Sequence, residues 1–337
     1  MKPLPWQRAE FDALSAHSKE GRLAHGLLFT GPTGVGKRHC AQAFIAADLC
    51  RRPAPGGEAC GQCPSCQQLA AGSHPDVRRV EVPEDKSVIG VDQIRAMIDF
   101  MSLSGQYSER RFALIDPADA MNENASNALL KTLEEPGPGS VLILVTSASG
   151  ALLPTLRSRC QQWRFVVPAE AQALAWMGDV IPDVEPDALR HRLAVARGAP
   201  LLAAALDDEM LELRARLADS WLKVGEGRQG VLEAAGAWSK ISPCDGIRWM
   251  LEWAGDCART VADPDTAVAE RVLDGRLQGL AQGLDLARLT LWTTEVESAY
   301  RRCAHGLNAQ LVFEDLLASW AGVCRARRGA GPSRSSA

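Results

Sequence analysis

A chain of 337 residues, 46% hydrophobic and 23% charged, has the composition of an average soluble protein, which excludes a disordered or fibrous chain, and is long enough for two or three domains. Its net charge of −4 at pH 7 gives no overall attraction for nucleic acid, so DNA binding by the chain alone is not expected. No segment resembles a secretory signal or a membrane-spanning helix, which predicts a cytoplasmic protein without membrane contact.

The first predicted elements are a strand at 26–30 and a helix at 38–49, joined by the glycine-rich sequence GPTGVGK. A loop between a strand and a helix can hold phosphate oxygens with its backbone N–H groups, and its lysine can reach the terminal phosphates. This setting makes a plain glycine turn the weaker interpretation. The residues assigned to a nucleotide site are Gly31, Thr33, Gly34, Gly36, Lys37, Arg38 and Asp116.

Two positions of this nucleotide site depart from the pattern of a working ATPase. Arg38 stands where a Ser or Thr hydroxyl would ligate magnesium. Asp116 is followed by Pro117 rather than by a glutamate that would polarise the attacking water. Hydrolysis is therefore not expected, while these residues leave open whether ATP or ADP binds.

Segment 50–66 contains four closely spaced cysteines, Cys50, Cys60, Cys63 and Cys66, in a loop rich in glycine and proline. Two overlapping CxxC units of this kind are typical of a tetrahedral zinc site. Because protein thiolates would fill all four positions, we predict a structural Zn²⁺ rather than a catalytic one. The other six cysteines are interpreted as packing residues without a function: Cys40, Cys160, Cys244, Cys257, Cys303 and Cys324.

Further along the chain, the apolar runs at 111–116 and 141–146 predict strands buried on both faces, with a helix at 122–135 between them. The alternation of strands and helices predicts an α/β domain with a parallel, doubly wound sheet. Arg159 follows the third strand in the sequence LRSRC. From spacing alone, a solvated basic surface is the better interpretation of this loop.

After Pro168 the pattern is helical, with breaks at several prolines and glycines. It predicts a first domain at 1–167, a small helical lid at 168–207 and a helical domain at 208–328. The tail at 329–337 is expected to be disordered. The tryptophans of the helical part are interpreted mainly as packing residues.

Five segments carry a resemblance to a known family: HGLLFTGPTGVGK, the four-cysteine insert, RFALIDPADAMNENASNALLKTLEEP, TLRSRC and NAQLVFEDLL. Together they resemble the clamp-loader ATPases of bacterial DNA polymerase III and, within that family, the delta-prime subunits. The resemblance implies an AAA-plus domain, a helical lid and an all-α collar domain. It favours delta-prime over the motor subunits because Pro117 and Arg38 replace the catalytic residue types.

The resemblance also implies partners and a role. The chain would belong to a heteropentameric ring with tau/gamma and delta subunits, which loads the sliding clamp onto primed DNA. Arg159 would act as an arginine finger on the ATP of a neighbouring subunit, and no independent catalytic activity is expected. The lid segment at 197–200 cannot be aligned with the loop from the sequence, so a second sensor residue is not assigned.

Two alternatives remain open at this point. An active motor-type ATPase would need Gly36, Lys37 and Asp116 to hold Mg-ATP, with water or Thr33 replacing the missing hydroxyl. A zinc-dependent nucleic-acid-binding module would need cations in segment 50–66, and only Arg51 and Arg52 are present there.

Overall fold

The computed structural model describes residues 1–325 except 85, 104, 265–267, 269–272, 274 and 304–307. The chain divides into two compact units, Met1–Ala205 and Leu206–Ala337. The tail predicted at 329–337 lies outside the described residues. Among the described residues, no helix combines the length and the apolar character that crossing a bilayer requires.

The first unit is built on a parallel sheet, which has five strands within the described residues. The strands are β1 (Gly26–Thr30), β2 (Val77–Val80), β3 (Arg111–Ile115), β4 (Ser140–Thr146) and β5 (Gln161–Arg164). Their order across the sheet is β2-β3-β4-β1-β5. All four pairings are parallel, which confirms the predicted α/β class and its parallel sheet.

Helices cover both faces of this sheet. The helices of this first unit are α1 (Arg8–Lys19), α2 (Lys37–Asp48), α3 (Pro64–Ala70), α4 (Val91–Ser102), α5 (Glu123–Glu134), α6 (Pro154–Ser158), α7 (Glu170–Val180), α8 (Pro186–Val195) and α9 (Pro200–Ala205). Because successive side chains of a strand point to opposite faces, Phe29 packs in the core that contains Phe44 of α2, whereas Leu28 packs in the core that contains Leu129 of α5. The sheet therefore separates two hydrophobic cores.

The predicted strands and helices of this unit agree with the structure to within a residue or two. Strand β1 has the predicted bounds, and β3 ends one residue before Asp116. Helix α5 begins after Asn122, whose side-chain oxygen accepts a hydrogen bond from Ala125 N at 2.8 Å. An asparagine cap of this kind satisfies one of the free N–H groups of the first turn.

Strands β2 and β5 were not predicted. Their sequences, VRRV and QQWR, lack a continuous apolar run. Both lie at the edges of the sheet, where side chains are not buried on both faces and polar residues are tolerated.

The second unit is helical. Its described helices are α10 (Asp208–Gly225), α11 (Val231–Trp238), α12 (Pro243–Ala262), α13 (Arg276–Ala281), α14 (Leu286–Cys303) and α15 (Ala309–Arg325). Five tryptophans are fully buried in its core: Trp221, Trp238, Trp253, Trp292 and Trp320. The rings of Trp221 and Trp320 stack with their centroids 4.2 Å apart. These residues pack the core, as predicted.

Candidate nucleotide site and metal centre

The loop from Gly31 to Lys37 connects the carboxyl end of β1 to the first turn of α2. Three of its glycines have positive φ angles: 146° at Gly31, 80° at Gly34 and 89° at Gly36. A Cβ atom would lie 2.1 Å from Phe165 O at Gly31 and 2.7 Å from Leu202 Cβ at Gly34. The glycines are therefore required both by the backbone conformation and by the close approach of neighbouring segments.

Lys37 lies over the loop that precedes it and is 5% exposed. Its Nζ donates hydrogen bonds to Gly31 O and Pro32 O, both at 2.7 Å, and to Ser147 Oγ at 2.9 Å. Thr33 Oγ1 donates to the same Ser147 hydroxyl at 3.1 Å. Burial lowers the pKa of Lys37 to about 8. The lysine therefore holds its full charge only below that pH.

Arg38 forms ion pairs with two carboxylates that follow neighbouring strands. Its Nε lies 3.1 Å from Asp116 Oδ2, and a terminal guanidinium nitrogen contacts the Glu81 carboxylate. Asp116 follows β3 and Glu81 follows β2, so the carboxyl ends of two parallel strands bring them together. Burial raises the pKa of Asp116, and the charges of Arg38 and Lys37 oppose that rise.

A magnesium ion does not fit this arrangement. Magnesium binds oxygen ligands at about 2.0–2.1 Å, but the Asp116 oxygen faces a guanidinium instead. Arg38 also supplies no hydroxyl at the position where an ATPase would place one. The structure thus brings the predicted loop residues and Asp116 together, but around a cationic side chain.

Helix α9 contacts the phosphate loop, and this contact shows which lid residue lies beside the loop. Leu201 N donates to Gly34 O at 3.1 Å, and the Leu201 side chain lies beside Gly36. The sequence of α9 is PLLAAA, so no cation of this helix contacts the loop. Pro200, interpreted from the sequence as a break in the helical pattern, occupies the first position of α9, where proline is favoured.

The four cysteines of segment 50–66 form a compact cluster, with all sulfur atoms within 4.8 Å of one another. Cys66 Sγ lies 3.7 Å from Cys50 Sγ and 4.0 Å from Cys60 Sγ. Tetrahedral zinc with Zn–S bonds of about 2.3 Å requires sulfur separations of roughly 3.8 Å. Hydrogen bonds from the backbone N–H groups of Gln62 and Cys63 lower the pKa of Cys60, whereas burial raises the pKa of Cys66 to about 12.

Local contacts hold segment 50–66 against the rest of the first unit. Arg8 of α1 forms an ion pair with Glu58 at 2.5 Å and donates to Gly56 O at 2.6 Å. The Arg51 guanidinium lies over the Tyr107 ring, 5.6 Å from its centroid. Arg51, one of the two cations that a nucleic-acid-binding module would use, thus has an intramolecular partner.

Arg159 lies apart from the phosphate loop, at the opposite end of the sheet. It ends α6, two residues before β5, where Leu27 pairs with Gln161 at the amino end of β1. Arg159 Nε donates to Glu134 Oε1 at 2.9 Å, and a terminal nitrogen donates to Thr155 O at 3.0 Å. Its side chain remains 36% exposed.

The remaining cysteines do not form a second cluster within the described part of the chain. Burial raises the pKa of Cys40 to about 12 and of Cys160 to about 11, so these thiols remain protonated and unreactive near neutral pH. Cys244 is disulfide-bonded, so its interpretation as a packing residue without a function is wrong. The side chain of Cys303 lies outside the described residues.

Comparison with known proteins relates most of the chain to one family. Residues 6–168 match the family model described as DNA polymerase III, delta subunit. The chain is 35% identical to the DNA polymerase III subunit delta′ of Pseudomonas aeruginosa, with 95% of this chain and 97% of that protein covered. It is 32% identical to the subunit delta′ of Haemophilus influenzae, with 78% and 79% covered.

A protein with another subunit name is also similar. The DNA polymerase III subunit tau of Bacillus subtilis is 30% identical, with 87% of this chain and 52% of that protein covered. The clamp-loader fold class expected from the resemblance, an AAA-plus sheet domain followed by a helical region, is confirmed. The extent of the delta′ matches decides the assignment: the chain belongs to the family of DNA polymerase III delta-prime subunits.

Proposed function

We propose that this chain is a hydrolysis-inactive subunit of a clamp loader, which helps to load the sliding clamp onto primed DNA. Its neighbours in the ring are tau/gamma and delta subunits, and clamp and DNA are reached through the complex. The observation that carries the proposal is Arg159, a partly exposed arginine at the opposite end of the sheet from the chain's own phosphate loop.

The chain's own nucleotide site lacks three contributions to phosphoryl transfer. Arg38 replaces the hydroxyl that would ligate magnesium and pairs with Asp116. Pro117 offers no carboxylate to orient water, and the lid places Leu201 rather than a cation beside the loop. Metal placement, water activation and charge stabilisation each lower the barrier separately. ATP or ADP is held at this site without hydrolysis.

Arg159 acts on a neighbour's nucleotide. Strand β5 separates it from the level of its own phosphate loop by roughly 13 Å at about 3.3 Å per residue, and its side chain contacts Glu134 and Thr155. A fixed guanidinium supplied by an adjacent subunit stabilises the charge that develops on the transferred phosphoryl group. An inactive site and an active finger are therefore compatible in one chain.

Zinc has a structural role in this proposal. Cys50, Cys60, Cys63 and Cys66 supply four thiolates, which close the coordination sphere and leave no position for substrate or water. Bound zinc would lock segment 50–66 between the end of α2 and the start of α3. The domain at 208–328 serves as the collar that joins the ring, and 168–207 serves as the lid.

The test is ATP turnover by a reconstituted loader in the presence of clamp and primed DNA. We expect turnover to fall when the loader contains Arg159→Ala, and to stay normal with Arg190→Ala, an exposed arginine of α8 whose ion pair with Asp187 is local. The isolated chain serves as the blank and should not hydrolyse ATP.

The similarity to subunit tau supports the motor-type alternative. Hydrolysis by the isolated chain that Lys37→Ala abolishes would establish that alternative. Normal turnover with Arg159→Ala would contradict the finger.

A further inference from the structure

At the position where an ATPase would hold magnesium, this nucleotide site has the positively charged side chain of Arg38. Arg38 lies in the first turn of α2, directly after Lys37, and its guanidinium bridges Asp116 and Glu81. In a working site a magnesium ion would link an aspartate to phosphate oxygens. The same aspartate is linked here to a permanent cation.

We propose that the Arg38 guanidinium takes the place of magnesium, so that this site binds the phosphate chain of a nucleotide in its metal-free form. The proposal rests on the nucleotide site proposed above and specifies its ligand. It concerns binding only, because Pro117 supplies no carboxylate at the position that orients water in an ATPase.

The anion-binding half of the site is intact. The loop N–H groups between Gly34 and Arg38 donate to no backbone acceptor in the described structure, as is typical of the first turn of a helix that faces an anion. Lys37 adds a buried ammonium over the same loop. The glycine conformations that aim these N–H groups are retained.

Arg38 retains hydrogen-bonding capacity for a phosphate. A guanidinium carries five N–H donors in a planar fork, and the ion pairs with Asp116 and Glu81 use only part of them. Its side chain is 43% exposed, so a ligand can reach it. Arginine binds phosphate bidentately and does not lose its proton in proteins.

The charge of Arg38 disfavours a metal ion at this position. Asp116 and Glu81 are each paired with Arg38, and a divalent cation at the same carboxylates would be repelled by that guanidinium within a few ångströms. A nucleotide that arrives with magnesium would have to displace one of these ion pairs. The metal-free form of the phosphate chain does not.

The experiment is calorimetric titration of the full-length chain with ADP, in EDTA and in MgCl₂. The wild-type chain should bind ADP in EDTA at least as tightly as in MgCl₂, and inorganic pyrophosphate should compete. Arg38→Thr should weaken binding in EDTA about tenfold, as expected for the loss of a charge-assisted hydrogen bond. Because threonine provides a hydroxyl and Asp116 is then unpaired, magnesium should strengthen ADP binding by this variant about tenfold.

Control variants show whether the effect belongs to Arg38. Arg95→Thr, at an exposed arginine of α4 paired locally with Asp92, should bind like the wild type, and Lys37→Ala should lose binding in both buffers. If Arg38→Thr does not fold, Arg38→Lys should weaken binding in EDTA without introducing a magnesium requirement.

Three outcomes would overturn the proposal: absence of ADP binding in EDTA, a magnesium requirement in the wild type, or failure of pyrophosphate to compete. The turnover assay of Arg159→Ala measures ATP hydrolysis at the site of a neighbouring subunit. It therefore separates failure of this inference from failure of the proposed function.

Discussion

The charged side chains at the two ends of the β-sheet have different partners. At the carboxyl end, Arg38 pairs with Asp116 and Glu81, and Lys37 is buried against its own loop. At the amino end, Arg159 pairs with one carboxylate among the described residues, that of Glu134, whose side chain is 51% exposed. An exposed ion pair contributes only about 0–1 kcal/mol. Arg159 can therefore exchange its partner at low cost, whereas Arg38 is shared between two carboxylates.

The largest expected effect compares the two ends directly. In a reconstituted loader, Arg159→Ala should reduce ATP turnover at the site that we propose it completes by about 10³-fold, the scale of an arginine finger. Arg38→Ala should leave turnover unchanged, because its carboxylate partners belong to the chain's own site. Single-turnover kinetics on the two variant loaders measures this difference, and equal effects would abolish the distinction between the two ends.

Removal of the proposed zinc should destabilise the amino end of the sheet. Helix α2 runs from the phosphate loop back to Cys50, and Asp48 at its last turn pairs with Arg110 at 2.8 Å, just before β3. Cys63→Ala should release zinc and lower the free energy of unfolding by roughly 3 kcal/mol or more, because metal binding is coupled to folding. Metal analysis and thermal melting test this. Cys40→Ala, at a buried cysteine outside the cluster, is the comparison, and it should retain zinc.

The carboxyl end should respond to pH through Lys37. Its pKa of about 8 in the folded chain means that the ammonium is charged below that pH and becomes neutral above it. If the charged form holds the phosphate chain, ADP affinity should fall about tenfold between pH 7 and pH 9, since about one lysine in ten is then protonated. Titrations at both pH values check this, and unchanged affinity would show that Lys37 does not contribute.

A smaller effect is expected on stability. Burial raises the pKa of Asp116 above its ordinary value of 3.8, so the folded chain loses stability as pH rises from that value through the raised pKa. The charge of Arg38 opposes this rise in the pKa of Asp116. Arg38→Ala should therefore destabilise the chain more at pH 7 than at pH 4, by about 1 kcal/mol given the exposure of the arginine. Melting curves at the two pH values test the sign, and a larger loss at pH 4 would contradict it.

Sequence patterns predicted the centre of the sheet and the cysteine cluster better than the contacts around the loop. The apolar runs of β1, β3 and β4 reflect burial on both faces, and the spacing of the four cysteines reflects the size of a tetrahedral site. The partner Glu81 was missed because it follows β2, an edge strand without an apolar run. The contact of Leu201 with the loop depends on how α9 packs, which local sequence does not determine.

The tryptophans give the two units different optical properties. Six of the nine belong to the second unit, and the stacked pair Trp221 and Trp320 lies at the centre of its core. Exposure of these indoles on unfolding should shift their fluorescence to longer wavelength, so emission will report mainly on the helical unit. Cobalt bound in place of zinc absorbs visible light and would report on the sheet unit. The unfolding of the two units can thus be followed separately in one intact chain.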